Sequence, residues 1–158
     1  MKYYEAPNTP NFNEWVDCPS RTSLFLAGSI TGAWNWQNKV TEKLSPYYNI
    51  FNPRRENYDS LIDGQERIQI KWEWQMLNHC ENLLFYFSNE TLAPITLFEY
   101  GKFLENTKKK IYVCIHPEYK RKNDVLIQTE LSNRDILTRT YNDLDFTINK
   151  LIDVAPKD

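Results

Sequence analysis

Short, continuous apolar runs that alternate with stretches of helical spacing constrain this chain more than any other feature of its sequence. "SLFLAGS" (Ser23 to Ser29), "YNIFNP" (Tyr48 to Pro53), "NLLFYFS" (Asn82 to Ser88) and "KIYVCIHP" (Lys110 to Pro117) read as strands. Between and after them, Ala33 to Leu44, Gly64 to Cys80, Pro94 to about Thr107 and Tyr141 to Ile152 carry helical periodicity, the first through Trp36, Val40 and Leu44. A strand that is apolar without interruption buries both of its faces. Alternation with helices therefore predicts an α/β fold: a parallel sheet covered by helices on both sides. At 158 residues the chain is expected to form one domain over 1–158, with its core at about 23–152 and residues 1–22 as an N-terminal extension.

Charge and cysteine usage narrow the class. Nineteen basic side chains against 21 acidic ones give almost no net charge, and the single basic run, Lys108 to Lys110, sits where a helix should end. It suits capping of that helix better than binding a nucleic-acid polymer. The three cysteines have no paired spacing, and Cys80 and Cys114 fall in apolar runs, which suits buried thiols in a reducing cytoplasm. No apolar run approaches the roughly 20 residues that cross a bilayer, and the first 15 residues lack the apolar centre of a signal peptide, so no membrane partner is expected. His79 and His116 have no cysteine or carboxylate at metal-ligand spacing, and neither metal nor cofactor is expected. His79 is placed at a helix end.

In open parallel sheets, ligands bind beyond the carboxyl ends of the strands. Those ends carry Ala27, Gly28 and Ser29, then Asn52, Pro53, Arg54 and Arg55, then Ser88 and Glu90, and finally "HPEYKRKND". These are candidate substrate-binding positions. "GSITG" is neither a Walker loop nor a dinucleotide fingerprint; its glycines either make the turn or let a ligand approach the backbone, with Ser29 near a helix start. Arg54 and Arg55 either hold a phosphate or carboxylate, or make surface ion pairs.

Two carboxylates are out of place. Glu99, in "APITLFEYGKF", lies between Ile95 and Phe103 on a helix opened by Pro94. It either belongs to a solvated stripe with Thr96 and Lys102 or points from the second turn into the pocket. In "RIQIKWEWQML" the buried face is marked by Ile68, Trp72, Met76, Leu77 and Cys80, yet Gln69 and Glu73 fall on that side one turn apart. An unpaired buried carboxylate is costly, so this pair needs an internal network or a ligand.

"LFLAGSITGAWNWQ", "NPRRENYD", "QIKWEWQML" and "ETLAPITLFEYG", in that order, resemble the nucleoside 2-deoxyribosyltransferase family, in its branch with an "NPRR" loop. The resemblance runs from about Ser23 to Gln128 and implies a flavodoxin-like, Rossmann-like sheet. It also implies that the glutamate of the "ExG" segment, Glu99 with Gly101 beside it, is the nucleophile that attacks the anomeric carbon and expels the base. Glu73 is the candidate acid or base-orienting group, because the family has an acidic residue on this helix. Better-known members carry an aspartate about two turns before the nucleophile, where Ala93 stands here with Asn89 and Glu90 nearby, and a tyrosine on the first strand, matched here by Phe25 or Leu24. The family also completes its site with a neighbouring subunit. That points to a homo-oligomer, with Tyr119 and Asn123 of "HPEYKRKND" either reaching across an interface or lying in a plain surface loop.

The resemblance implies 2′-deoxynucleosides or nucleotides and free nucleobases as partners. Three activities are compatible with these residues: base exchange through Glu99, hydrolysis of a nucleoside 5′-monophosphate, and nucleotide binding with little turnover.

Overall fold

The computed structural model describes residues 1–16, 18–56, 63–132 and 135–156. Asn57 to Asp59 of the "NPRRENYD" segment lie outside them. In chain order the elements are β1 (Tyr3–Glu5), α1 (Phe12–Val16), β2 (Ser23–Gly28), α2 (Trp36–Leu44), β3 (Asn49–Asn52), α3 (Gln65–His79), β4 (Asn82–Phe87), α4 (Pro94–Leu104), β5 (Lys110–Ile115), α5 (Lys122–Leu131), β6 (Thr140–Tyr141) and α6 (Leu144–Asp153). All paired strands are parallel, in the order β1-β3-β2-β4-β5-β6. This is the expected α/β sheet, and each of the four expected strands and four expected helices is present.

Side-chain alternation along each strand divides the interior into two cores. Leu24 and Leu26 of β2 join Ile50, Leu84, Tyr86, Tyr112 and Cys114 against Trp36, Val40 and Leu44 of α2 and Ile148 and Leu151 of α6. Phe25 and Ala27 join Phe51, Leu83, Phe85, Phe87 and Val113 against Trp72, Met76 and Leu77 of α3 and Tyr100 and Phe103 of α4. Continuous apolar strands were needed because both faces are covered. All three cysteines are buried outside any disulfide, as expected for Cys80 and Cys114.

Several boundaries differ for local reasons. The segment before residue 23 adds a strand: Tyr3, Tyr4 and Glu5 pair with Ile50, Phe51 and Asn52, and Tyr4, Ala6 and Cys18 enter the core. Three residues are too few for periodicity to register. Helix α4 ends at Leu104 rather than Thr107, and α6 starts at Leu144 rather than Tyr141, because the Asp143 side chain accepts from Phe146 N (2.7 Å) and caps it. The segment "HPEYKRKND", read as a loop, already begins α5 at Lys122. Ile68 is not on the buried face of α3; it is 47 % exposed.

The basic run also acts on a different helix from the one expected. Buried Lys109 donates to the carbonyls of Leu77, Asn78 and Cys80 (2.8, 2.6 and 2.6 Å), closing the C-terminus of α3 rather than of α4. Lys110 pairs with Glu81 at 3.0 Å. His79, the last residue of α3, lies at a helix end as expected.

Gly28 ends β2 where the sheet meets α2. A Cβ there would lie 2.5 Å from Trp36 Cζ2 and 2.8 Å from the Tyr86 carbonyl oxygen. Neither atom can yield: the indole is fully buried and its Nε1 is tied to the Ser29 carbonyl (3.0 Å), while the carbonyl belongs to β4. Gly28→Ala is therefore expected to lose about 2 kcal/mol or more of stability through overpacking, read as a lower urea midpoint at unchanged slope.

Candidate active site

β2 and β4 are neighbours, but the connection leaving β2 runs through α2 on one face and that leaving β4 through α4 on the other. A crevice opens between such diverging connections. It is a cleft of about 450 Å³, walled by Phe25 and Ala27 to Thr31 from β2 and its loop, Pro53 and Arg55 after β3, Glu66, Gln69, Ile70 and Glu73 of α3, and Thr91 to Thr96 with Glu99 from the start of α4.

The two loops at its rim are tied together. Ser29 and Thr91 share a 2.6 Å hydroxyl hydrogen bond, and Thr91 Oγ1 accepts from Ala93 N (3.1 Å). Glu90 accepts from Trp34 N (2.9 Å). Tyr119 OH donates to the Leu92 carbonyl (2.8 Å). Ala93 has φ 47° and ψ 55°, a left-handed conformation that costs an alanine about 1 kcal/mol. That strain sits immediately before Pro94, where the chain turns into α4 and aims its second turn at the cleft.

Glu99 resolves in favour of the pocket. Thr96 is buried and Glu99 lines the cleft, whereas Lys102 stays at the surface with its ammonium 5.6 Å from the Trp74 ring centroid. Among the described residues Glu99 accepts no hydrogen bond and forms no ion pair. Burial raises its carboxyl to about 8, the nearby Glu73 charge adding to the effect and Lys102 opposing it. Glu73 is also raised by burial, against the stabilising hydrogen bond from Gln69 (Nε2 to Oε1, 2.8 Å). Gln69 Nε2 also donates to the Pro53 carbonyl (2.7 Å), joining the loop after β3 to the acid on α3.

Of the residues expected from the sequence, Ala27, Gly28, Ser29, Pro53, Arg55, Gln69, Glu73 and Glu99 line the cleft. The others do not. Arg54 turns away: Nη1 donates to the Trp34 carbonyl and Gln37 Oε1, and Nη2 to the carbonyls of Ile30 and Ala33 (2.8–3.1 Å), so its terminal N–H groups hold the β2–α2 loop. Asn52 bridges Tyr3 OH and Arg54 N. Ser88 is buried beneath the end of β4, and Glu90 clamps the rim from outside. Gly101, two residues from Glu99, faces the opposite side of α4, with nothing within 4 Å of a Cβ.

The cross-subunit expectation for Tyr119 is corrected. It is only 3 % exposed, packs on Phe87 and is spent on Leu92. Asn123 is exposed in the first turn of α5 and does not line the cleft. The two candidates for the first-strand aromatic separate by face: Phe25 lines the cleft, while Leu24 packs in the core beneath α2 and α6.

Sequence reasoning missed Glu66, Ile70, Thr91 and Thr96. The signal for the first two was present: Glu66, Gln69, Ile70 and Glu73 fall at i, i+3, i+4 and i+7, one face of α3. Thr96 lies three residues before Glu99 on one face of α4 and shared its signal, whereas Thr91 gave none, since a threonine in a loop is ordinary.

The raised Glu99 has a consequence for stability. The folded chain keeps its proton up to about pH 8, whereas an unfolded chain releases it near 4.5, so this group's contribution is present below 4.5 and lost as pH rises through 8. Glu99→Gln should therefore be more stable than wild type at about pH 9, by several kcal/mol, with little difference at about pH 4.5. Urea unfolding at the two pH values checks this; an equal difference at both would mean that Glu99 titrates as an ordinary surface carboxyl.

A family model described as nucleoside 2-deoxyribosyltransferase like matches residues 21–119, more than half of the chain and the whole of the cleft. No curated protein matches the chain.

Proposed function

The chain belongs to the nucleoside 2-deoxyribosyltransferase-like family, and from that premise we propose that it exchanges the base of 2′-deoxynucleosides through a covalent glycosyl ester on Glu99. The observation that carries this reading is the pair of carboxyl groups, Glu99 and Glu73, projecting from two helices into one poorly hydrated cleft at the divergence of β2 and β4. In the first half-reaction the Glu99 carboxylate attacks C1′, the C1′–N bond breaks, and the departing base takes a proton from Glu73. A second base then attacks C1′ and releases Glu99. Splitting the displacement lowers each barrier, and poor hydration makes the carboxylate a better nucleophile once ionised.

Hydrolysis of a nucleoside 5′-monophosphate is the second reading, favoured by Arg55. That arginine lines both the cleft and an adjoining groove of about 610 Å³ where a 5′-phosphate would lie. The same groove carries Glu5, Glu42 and Glu56, whose charges oppose a phosphate, and this ranks hydrolysis below exchange. Binding with little turnover is the third.

Association into a homo-oligomer is part of the proposal. Ile70 and Ile95 of the cleft wall, with Trp74 of α3 and Phe98 of α4, are 56–72 % exposed, and a glycine stands on α4 where the chain's own packing does not need one. Among the described residues no helix is long and apolar enough to cross a membrane, and three buried thiols outside any disulfide suit a reducing cytoplasm.

Incubation with deoxyinosine and free adenine or cytosine, followed by chromatography, should yield a new deoxynucleoside. Glu99→Ala should reduce that yield about a thousandfold or more. Free base without exchange would select the hydrolase, deoxynucleoside monophosphates being tried in parallel; ligand binding without product would select the third reading.

A further inference from the structure

Glu73 and Glu99 reach the same cleft, yet only one of them has a donor. Gln69 Nε2 spends its two hydrogens on Glu73 Oε1 (2.8 Å) and the Pro53 carbonyl (2.7 Å). Both partners accept, so the amide cannot flip: its oxygen would then face a carbonyl and a carboxylate. A donor fixed on one oxygen favours the ionised form of Glu73. Glu99, with no donor among the described residues, is the better seat for a proton. Two carboxylates in one poorly hydrated cleft do not both ionise without mutual cost.

We propose that Glu73 and Glu99 hold one proton between them, and that Gln69 is the positioning residue which leaves it on Glu99 in the empty cleft. This rests on the reading of Glu99 as the nucleophile. Glu73, through the oxygen not held by Gln69, takes the proton from Glu99. The Glu99 carboxylate attacks C1′, the electron pair of the C1′–N bond passes to the base nitrogen, and that nitrogen takes the proton from Glu73. The ester is left beside an ionised Glu73. In the return half the incoming base gives its N–H proton to Glu73 as it bonds to C1′, and the freed Glu99 recovers it. No external proton enters the cycle, which suits exchange between two bases.

The other charged groups do not disturb this assignment. Arg55 enters from the loop after β3 and Glu66 from α3, Lys102 acts from α4, and the segments after β2 and β4 contribute only neutral residues to the wall. The electrostatics agree in direction: Glu99 is held up partly by the charge on Glu73, while Gln69 draws Glu73 down.

Carbon-13 NMR of the protein labelled at glutamate Cδ, titrated without substrate, tests the pairing. One carboxyl should titrate near pH 8 and disappear in Glu99→Gln, and its midpoint should fall by about one pH unit or more in Glu73→Gln, where the like charge is gone. In Gln69→Leu the Glu73 midpoint should rise and that of Glu99 fall; should this variant not fold, Glu73→Gln decides alone. A high midpoint that belongs to Glu73, or that ignores Glu73→Gln, would overturn the proposal. The titration stands apart from turnover, so a protein with the paired titration but no exchange would count against the transferase reading alone, and exchange without the pairing would count against the shared proton alone.

Discussion

The site depends on one topological constraint: β2 and β4 lie side by side while the chain leaves them toward opposite faces of the sheet. No helix can cover the gap between their carboxyl ends, because each neighbouring connection turns away from it. The loops that flank the gap must then satisfy their own polar groups. They do so with each other, through Ser29 and Thr91, Trp34 and Glu90, and the Tyr119 hydroxyl on Leu92. Rigidity at the rim therefore comes from the loops that make the opening.

Within that opening, α3 and α4 present carboxyl groups in unlike surroundings. Glu73 is anchored by an amide whose other hydrogen is fixed to the backbone at Pro53, and Glu99 is held only by packing. The difference matters more than the burial, since burial acts on both. Unlike partners are the physical means by which two chemically identical groups in one cleft can hold different protonation states. A left-handed alanine at the entrance to α4 is a local cost of bringing Glu99 to that place.

Arginine usage shows how neighbouring residues of one type part company. Arg54 and Arg55 are adjacent in the chain, and the sequence offers no ground for separating them. In the fold they part: Arg54 becomes an internal brace for the β2–α2 loop and Arg55 a wall of the cleft. The lysine run behaves alike: Lys109 turns inward to three carbonyls of α3, while Lys110 remains at the edge with Glu81. Counting charges along such runs overstates the surface they supply.

By itself the sequence determined the sheet, its parallel sense and the identity of the two displaced carboxylates, because those follow from short-range periodicity and from the cost of placing a charge on an apolar face. Ala27, Gly28, Ser29, Pro53 and Arg55, read from where the apolar runs stop, and Gln69, read from its place on the apolar side of a helix, all line the cleft. The edge strand Tyr3–Glu5, the inward turn of Tyr119, the brace made by Arg54 and the wall position of Thr91 were decided only by tertiary structure. Each rests on a partner remote in sequence, such as Ile50 for Tyr3, Leu92 for Tyr119 or Ser29 for Thr91, and no local pattern in a chain encodes which distant atom will arrive beside it.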